Sequence, residues 1–441
     1  MFKAALTAAL LRVCGTVLWL LFTMVCARTL SVEDFGFVFF SVNVIITGGV
    51  VAALGYDVTV LRYGSRYEKA GRKSAVRKLL SEARLVVVSG GLLVIAGFVI
   101  LTVLRVDTPV TQDVSVAGLV GLSIVATALM AVNRDVLRAC GKLSQALLGQ
   151  SVLRTFVPLL MTIGALLFTE LTPMEVLVFY LVGLLTSLAW EQACIARLGL
   201  GSQGEPGQNH HAKMAFSVWP GEASLIIFHR ACGIVIGLTS GLEAAAFFIA
   251  AERVSQLGVF LSDAVRTAIA PIIAQARSDQ EIQAAIAKSS ILMLLSGGIG
   301  FVLLLAGGWL LLLCFGREYL QSFPILCVLL VGQLSWTMLG PTALIMNMQG
   351  LERVRSLVTM IATAGLLICL IFTKSAFTAG LVFAVICWVM NGALWYLIRA
   401  RLGAVSGVFG VRFSDVRAVF SDGDEITGKL RKSLRIANFR S

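Results

Sequence analysis

Charge is scarce in this sequence. Asp, Glu, Lys and Arg together make up 14% of its 441 residues, against 58% hydrophobic, and the mean hydropathy is +0.90. That balance excludes an ordinary soluble domain, whose surface needs far more polar material. Catalytic signatures are missing as well. There is no Gly-x-x-x-x-Gly-Lys-Ser/Thr phosphate loop, which removes a nucleotide-driven pump, and neither a His-Glu-x-x-His helix nor a Gly-x-Ser-x-Gly elbow. The nine cysteines are scattered, without Cys-x-x-Cys or Cys/His pairs at metal spacing, and read as small core hydrophobes. Neither a cofactor nor a metal is expected, and the chain reads as a non-enzyme.

What is present is a succession of long apolar runs. A membrane-spanning helix needs about 20 apolar residues. Runs bounded by charge clusters place twelve spans near 4–27, 35–56, 85–104, 115–133, 148–169, 175–195, 216–239, 243–265, 290–314, 321–346, 356–373 and 377–398. The opening stretch has Lys3 before an apolar run, as a secretion signal would. It continues to Ala27, contains Arg12 and lacks a clear small-residue cleavage site, so it is expected to be an uncleaved first span.

Orientation follows from Lys and Arg. With the N-terminus inside, only Arg28, Arg105, Arg317 and Lys374 fall on the outer side, and Arg230 is left within a span. The rest gather inside, among them the cluster from Arg62 to Arg84, Arg253, and the basic tail from Arg399 onward. Both termini are therefore expected in the cytoplasm. The net charge of +12 reads as an inner surface facing anionic lipid head groups, and nucleic acid is not expected as a partner.

Residues 197–213, rich in glycine and polar side chains, separate the sixth and seventh spans. They divide the chain into a six-helix bundle over 1–196, a cytoplasmic linker over 197–215, a second six-helix bundle over 216–398 and a basic tail over 399–441. His210 and His211 read as plain linker residues. The halves show internal similarity: Leu30, Phe39 and Phe40 match Leu238, Phe247 and Phe248 at one constant spacing, and Asn133 with Leu137 parallels Asn347 with Leu351. Repeats of this kind mark transporters.

Ionisable residues inside spans are functional candidates by default. Arg230 lies roughly 21 Å along a helix that crosses about 30 Å, too deep to reach head groups easily. His229 is its neighbour, turned about 100° away. Arg12 lies roughly 12 Å into the first span, where its side chain can either reach the interface or line an interior. Arg154 stands near the start of the fifth span and reads as interfacial, with a cavity role as the alternative. Glu191, Glu222, and Asp263 with Arg266 read as interfacial caps or ion pairs, with a proton or cation site as the alternative. Pro158, Pro220 beside Gly221, and Pro341 mark helix breaks or bends. Residues 269–290 read as a surface amphipathic helix, and the segment after Arg401, with Gly403, Gly407 and Gly410, as a surface-bound or disordered extension.

The run Ala27-Arg28-Thr29-Leu30-Ser31-Val32-Glu33-Asp34-Phe35-Gly36, followed by Gly55-Tyr56-Asp57 and Arg62-Tyr63-Gly64, resembles the opening of bacterial oligosaccharide flippases. These form the polysaccharide-transporter branch of the multidrug/oligosaccharidyl-lipid/polysaccharide exporter superfamily. Leu137-Arg138-Ala139-Cys140-Gly141-Lys142, and Ala250-Ala251-Glu252-Arg253 with Ala270-Pro271, extend the resemblance. It implies an all-α membrane protein of two six-helix bundles related by pseudo-two-fold symmetry around a V-shaped central cavity. It further implies translocation of a lipid-diphosphate-linked oligosaccharide between leaflets of the bacterial inner membrane, for O-antigen, capsule or exopolysaccharide. Polysaccharide polymerase and glycosyltransferases are the implied partners. Substrate-binding candidates, by position, are Arg230, Arg12, His229 and Arg154. The alternatives are a cation-coupled drug or metabolite exporter of the same fold and, more distantly, a membrane glycan polymerase or acyltransferase. Span 1 holds no carboxylate, which argues against the first. The outer loops are short, which argues against the second.

Overall fold

The computed structural model describes the backbone of residues 2–104, 108–111, 113–200, 211–275, 279–403 and 405–410; within these, the side chains of 2–6, 103, 259–275, 279–280 and 282 also lie outside the description. Every described element is helical. In chain order they are α1 (Phe2–Thr29), α2 (Val32–Ala53), α3 (Tyr56–Lys69), α4 (Lys73–Val103), α5 (Val114–Ala139), α6 (Leu143–Leu147), a π-helical stretch (Leu148–Leu153) and α7 (Arg154–Ala165). There follow α8 (Pro173–Ala196), α9 (His211–Thr239), α10 (Leu242–Gln275), α11 (Asp279–Phe315), a 3-10 turn (Arg317–Ser322), α12 (Phe323–Met338), α13 (Thr342–Met348), α14 (Glu352–Ile371), α15 (Ala376–Leu402) and a second 3-10 turn (Gly407–Gly410).

Eleven helical segments among the described residues are long and apolar enough to cross a membrane. They correspond to the expected spans except the eighth, which falls on α10, where side chains from 259 onward lie outside the description. The same limit covers the side chains of Asp263 and Arg266; the expected surface helix over 269–290 is not a separate element, its described backbone forming the end of α10 and the start of α11, which continues into a spanning segment. His210 and the tail from 411 lie outside the described residues altogether.

Helix ends follow local chemistry. Ser31 caps α2 by accepting the Asp34 N–H, and Thr172 with Glu175 forms a reciprocal capping box on α8. Between α2 and α3 the chain turns through Leu54 and Gly55, both at positive φ. Of the prolines, Pro158 and Pro220 sit inside α7 and α9, whereas Pro341 stands at a true break between α12 and α13.

The chain forms two compact units: residues 1–253 with 309–326 and 359–382, and residues 254–308 with 327–358 and 383–441. The first has an aromatic centre in which Trp19, Phe22, Phe35, Phe39, Tyr180 and Tyr319 stack edge to face or tilted. Close helix approach there depends on small residues: a Cβ on Gly36 would collide with the Leu242 carbonyl oxygen, and one on Gly55 with that of Ala215. The second unit packs Ile286, Ile345, Met346, Leu394 and Ile398 together. Polar ties supplement this packing: Asn391 donates to Ser335 at 2.9 Å, and Gln333 to Ser255 at 3.0 Å.

The segment after α15 differs from the expected loose extension. Residues 405–407 are held by side chains: Gln283 donates to the Val405 carbonyl and accepts its N–H, Trp395 donates to the Ser406 carbonyl, and Ser290 accepts the Gly407 N–H. Ser406 in turn donates to the Leu339 carbonyl, left open where α12 breaks. Gly407 has φ +70° and packs where any Cβ would strike the Met338 carbonyl.

Candidate substrate site

Within the first unit, four helices bring a charged cluster together beside the aromatic centre. Arg230 of α9 donates from Nη1 to Oδ1 of Asn43 on α2 and to Oε1 of Glu252 on α10, both at 3.4 Å. Arg253 donates to the same Asn43 oxygen, also at 3.4 Å, and its guanidinium lies 5.4 Å from the ring centre of Trp19 on α1. Gly233, one turn beyond Arg230, makes room for Asn43: a Cβ there would lie 2.8 Å from its Nδ2. Arg253 is 3% exposed and Glu252 8%. Arg154 and Tyr180 stand within electrostatic reach of Arg253. The site thus brings Arg230 and Arg253 to a shared amide oxygen beside the Glu252 carboxylate, with Arg154 within electrostatic reach of Arg253.

The sequence candidates are distributed unevenly. Arg230 is in the cluster and Arg154 beside it. Arg12 is exposed on α1, its guanidinium without a hydrogen bond or ion pair among the described residues. His229 is exposed on α9, its ring edge-on to that of its buried neighbour Phe228 at 5.7 Å. Arg253, grouped by sequence with the cytoplasmic charges, is instead buried within α10, because Asn43 and Trp19 provide the acceptor and ring that make its burial tolerable. Asn43 and Trp19 were not singled out, and Glu252 entered only within the run Ala250-Ala251-Glu252-Arg253. A signal existed for two of them: an Asn alone in an apolar run, and an adjacent Glu-Arg pair in the middle of a span.

A second polar group lies between α4, α5 and α8. Arg84 donates to Asn133 and Gln192, and Asp135 pairs with Arg134 and Arg138. At the start of α9, His211 is 4% exposed, with its Nε2 at 2.8 Å from the Tyr67 hydroxyl and Nδ1 at 3.1 Å from Glu82. The plain-linker reading of His211 is therefore corrected: it ties α9 to α3 and α4. Asp57, at the start of α3, is buried enough to push its carboxyl above the ordinary range, with Arg134 partly opposing this.

No protein-family model and no curated protein matches this chain. Solved structures do. An inward-facing multidrug resistance MATE family transporter of the MOP superfamily matches with TM-score 0.67 and 15% identity, over 90% of this chain and 98% of that one. An outward-facing structure of such a transporter matches with TM-score 0.63 and 14% identity, over 91% and 96%. A MOP superfamily transporter from Pyrococcus furiosus, described as having a binding pocket of reversed polarity that suggests a different function, matches with TM-score 0.64 and 14% identity, over 91% and 96%. Identities this low carry the fold alone, and the chain has the fold of the MATE transporters of the MOP superfamily.

Proposed function

We propose that the protein translocates a lipid-diphosphate-linked oligosaccharide from the inner to the outer leaflet of a bacterial inner membrane, by alternating access, for surface polysaccharide export. The observation that carries this reading is the pair Arg230 and Arg253 sharing the Asn43 oxygen beside Glu252, with Arg154 within electrostatic reach of Arg253. Buried guanidinium groups bind phosphate oxygens through paired charge-assisted hydrogen bonds, and a surplus of cations suits a diphosphate better than a cationic drug. Two six-helix bundles over 1–196 and 216–398, cytoplasmic termini and an inner surface facing anionic lipids belong to the same reading. So do a polymerase and glycosyltransferases as partners.

The test is export in a host deleted for the gene. Loss of surface polymer, with lipid-linked repeats accumulating inside, restored by the native chain and not by Arg230→Ala, is the expected result. Normal polymer in the deleted host, with no second transporter present, would refute it.

A second reading, a cation-coupled drug or metabolite exporter of the same fold, draws on one observation: Glu191, in the sixth expected span, is a fully buried carboxylate. Span 1 lacks such a group, but α8 does not.

A further inference from the structure

Glu191 of α8 is 0% exposed, and neither carboxylate oxygen has a hydrogen-bond partner. Ser187, one turn earlier on the same helix face, is also buried with its hydroxyl unpartnered. Both side chains point at Gly149 in the π-helical stretch, where a Cβ would lie 3.1 Å from Glu191 Oε1 and 3.2 Å from Ser187 Oγ. Stretches of π-helix concentrate at functional positions. An ionised carboxylate sealed from water without donors is destabilised by several kcal/mol, so this site calls for a ligand.

The charged groups facing Glu191 come from two of the elements packed on α8: Arg134 and Asp135 from α5, and Arg154 from α7. Arg134 and Asp135 are engaged with each other, and Asp135 also with Arg138. α2 carries only Glu33 and Asp34, in its first turn, and neither α6 nor the π-helical stretch has a titratable group. Arg84, from α4, is held by Asn133 and Gln192. Arg154 is different: its Nε is buried without a hydrogen-bond partner, and it lies within electrostatic reach of both Glu191 and Arg253.

We propose that Glu191 is a proton-binding site whose occupancy is linked, through Arg154, to anion binding at the Arg230 and Arg253 cluster. The proton comes from water and resides on a Glu191 oxygen. A proton fits where a metal cation does not. Oxygen-liganded cations take about six oxygens, whereas one carboxylate and one hydroxyl converge here, and the nearby guanidinium groups repel a further cation. Ionised Glu191 draws on the charge of Arg154. Protonated Glu191 releases that charge to the anion cluster, so proton and anion bind together. By reciprocity, anion binding then takes up a proton. The linkage rests on the anion-binding reading above, while the proton site stands on the geometry of Glu191 alone.

The experiment is calorimetric titration of inorganic pyrophosphate into the full chain in lipid nanodiscs, in two buffers of different ionisation heat and at several pH values. The native chain is expected to take up close to one proton per pyrophosphate, with affinity weakening by up to about tenfold per unit rise in pH. Glu191→Gln is expected to bind pyrophosphate with no such uptake and a flat pH profile, while Glu170→Gln, at an exposed loop position, behaves as native. Equal proton uptake in native and Glu191→Gln would overturn the proposal. Absence of pyrophosphate binding to the native chain would overturn the anion reading and the linkage together. pH-difference infrared spectroscopy then decides the proton site by itself: a carboxylic-acid band lost in Glu191→Gln upholds it, and a retained band overturns it. If that variant does not fold, Ser187→Ala replaces it, with a shifted band expected and an unshifted one contradicting the site.

Discussion

Arg230 makes two hydrogen bonds at 3.4 Å, long ones that a better acceptor can displace. Phosphate oxygens are such acceptors, and Glu252 is their internal competitor. Arg230→Ala is therefore expected to weaken pyrophosphate binding by about ten- to a hundredfold, the range of one or two charge-assisted hydrogen bonds. Glu252→Gln is expected to tighten it. Equilibrium binding to the purified chain checks both, and tighter binding by Arg230→Ala would contradict the assignment. Asp57 supplies a pH prediction. Because burial raises its folded-state carboxyl, the folded chain keeps a proton that the unfolded chain has already released. That stabilisation is full below the unfolded pKa of about 3.9 and is lost as pH rises through the raised folded value. The Tm of Asp57→Asn relative to native is thus expected to climb with pH across that window, and a constant difference would refute it.

At the scale of elements, close contacts make sharper predictions than charges. Gly36→Ala forces a methyl group against the Leu242 carbonyl, whereas Gly97→Ala meets open space. The first is expected to lower stability by about 1–3 kcal/mol and the second not to, as measured by unfolding in detergent. The helices were largely legible in the sequence because apolar length is what a membrane demands of it. Their ends were less so. α4 begins at Lys73, well before the apolar run at 85, because its charged first turns continue the same helix. His211 and residues 405–407 were read as loose segments because their partners, Tyr67, Glu82, Gln283 and Leu339, are remote in sequence. Arg230 was legible as a charge in an apolar run, but its company was not. Arg253 stands mid-way along the expected span 243–265, but the Asn43 and Trp19 that make its burial tolerable are remote in sequence.

For the whole molecule, the fold is that of the solved MATE transporters of the MOP superfamily. Two places in the chain carry buried charge: Arg230 and Arg253 meet Glu252 around Asn43, and the sealed carboxylate of Glu191 lies on α8 within electrostatic reach of Arg154. The proposed cargo and the proposed proton linkage rest on those two places. The most direct measurement is transfer of a lipid-diphosphate-linked oligosaccharide across the bilayer of proteoliposomes holding the purified chain, native against Arg230→Ala. Transfer by the native chain that falls to the protein-free rate in the variant is the result expected. No transfer above the protein-free rate by the native chain, together with movement of a cationic drug, would contradict the account.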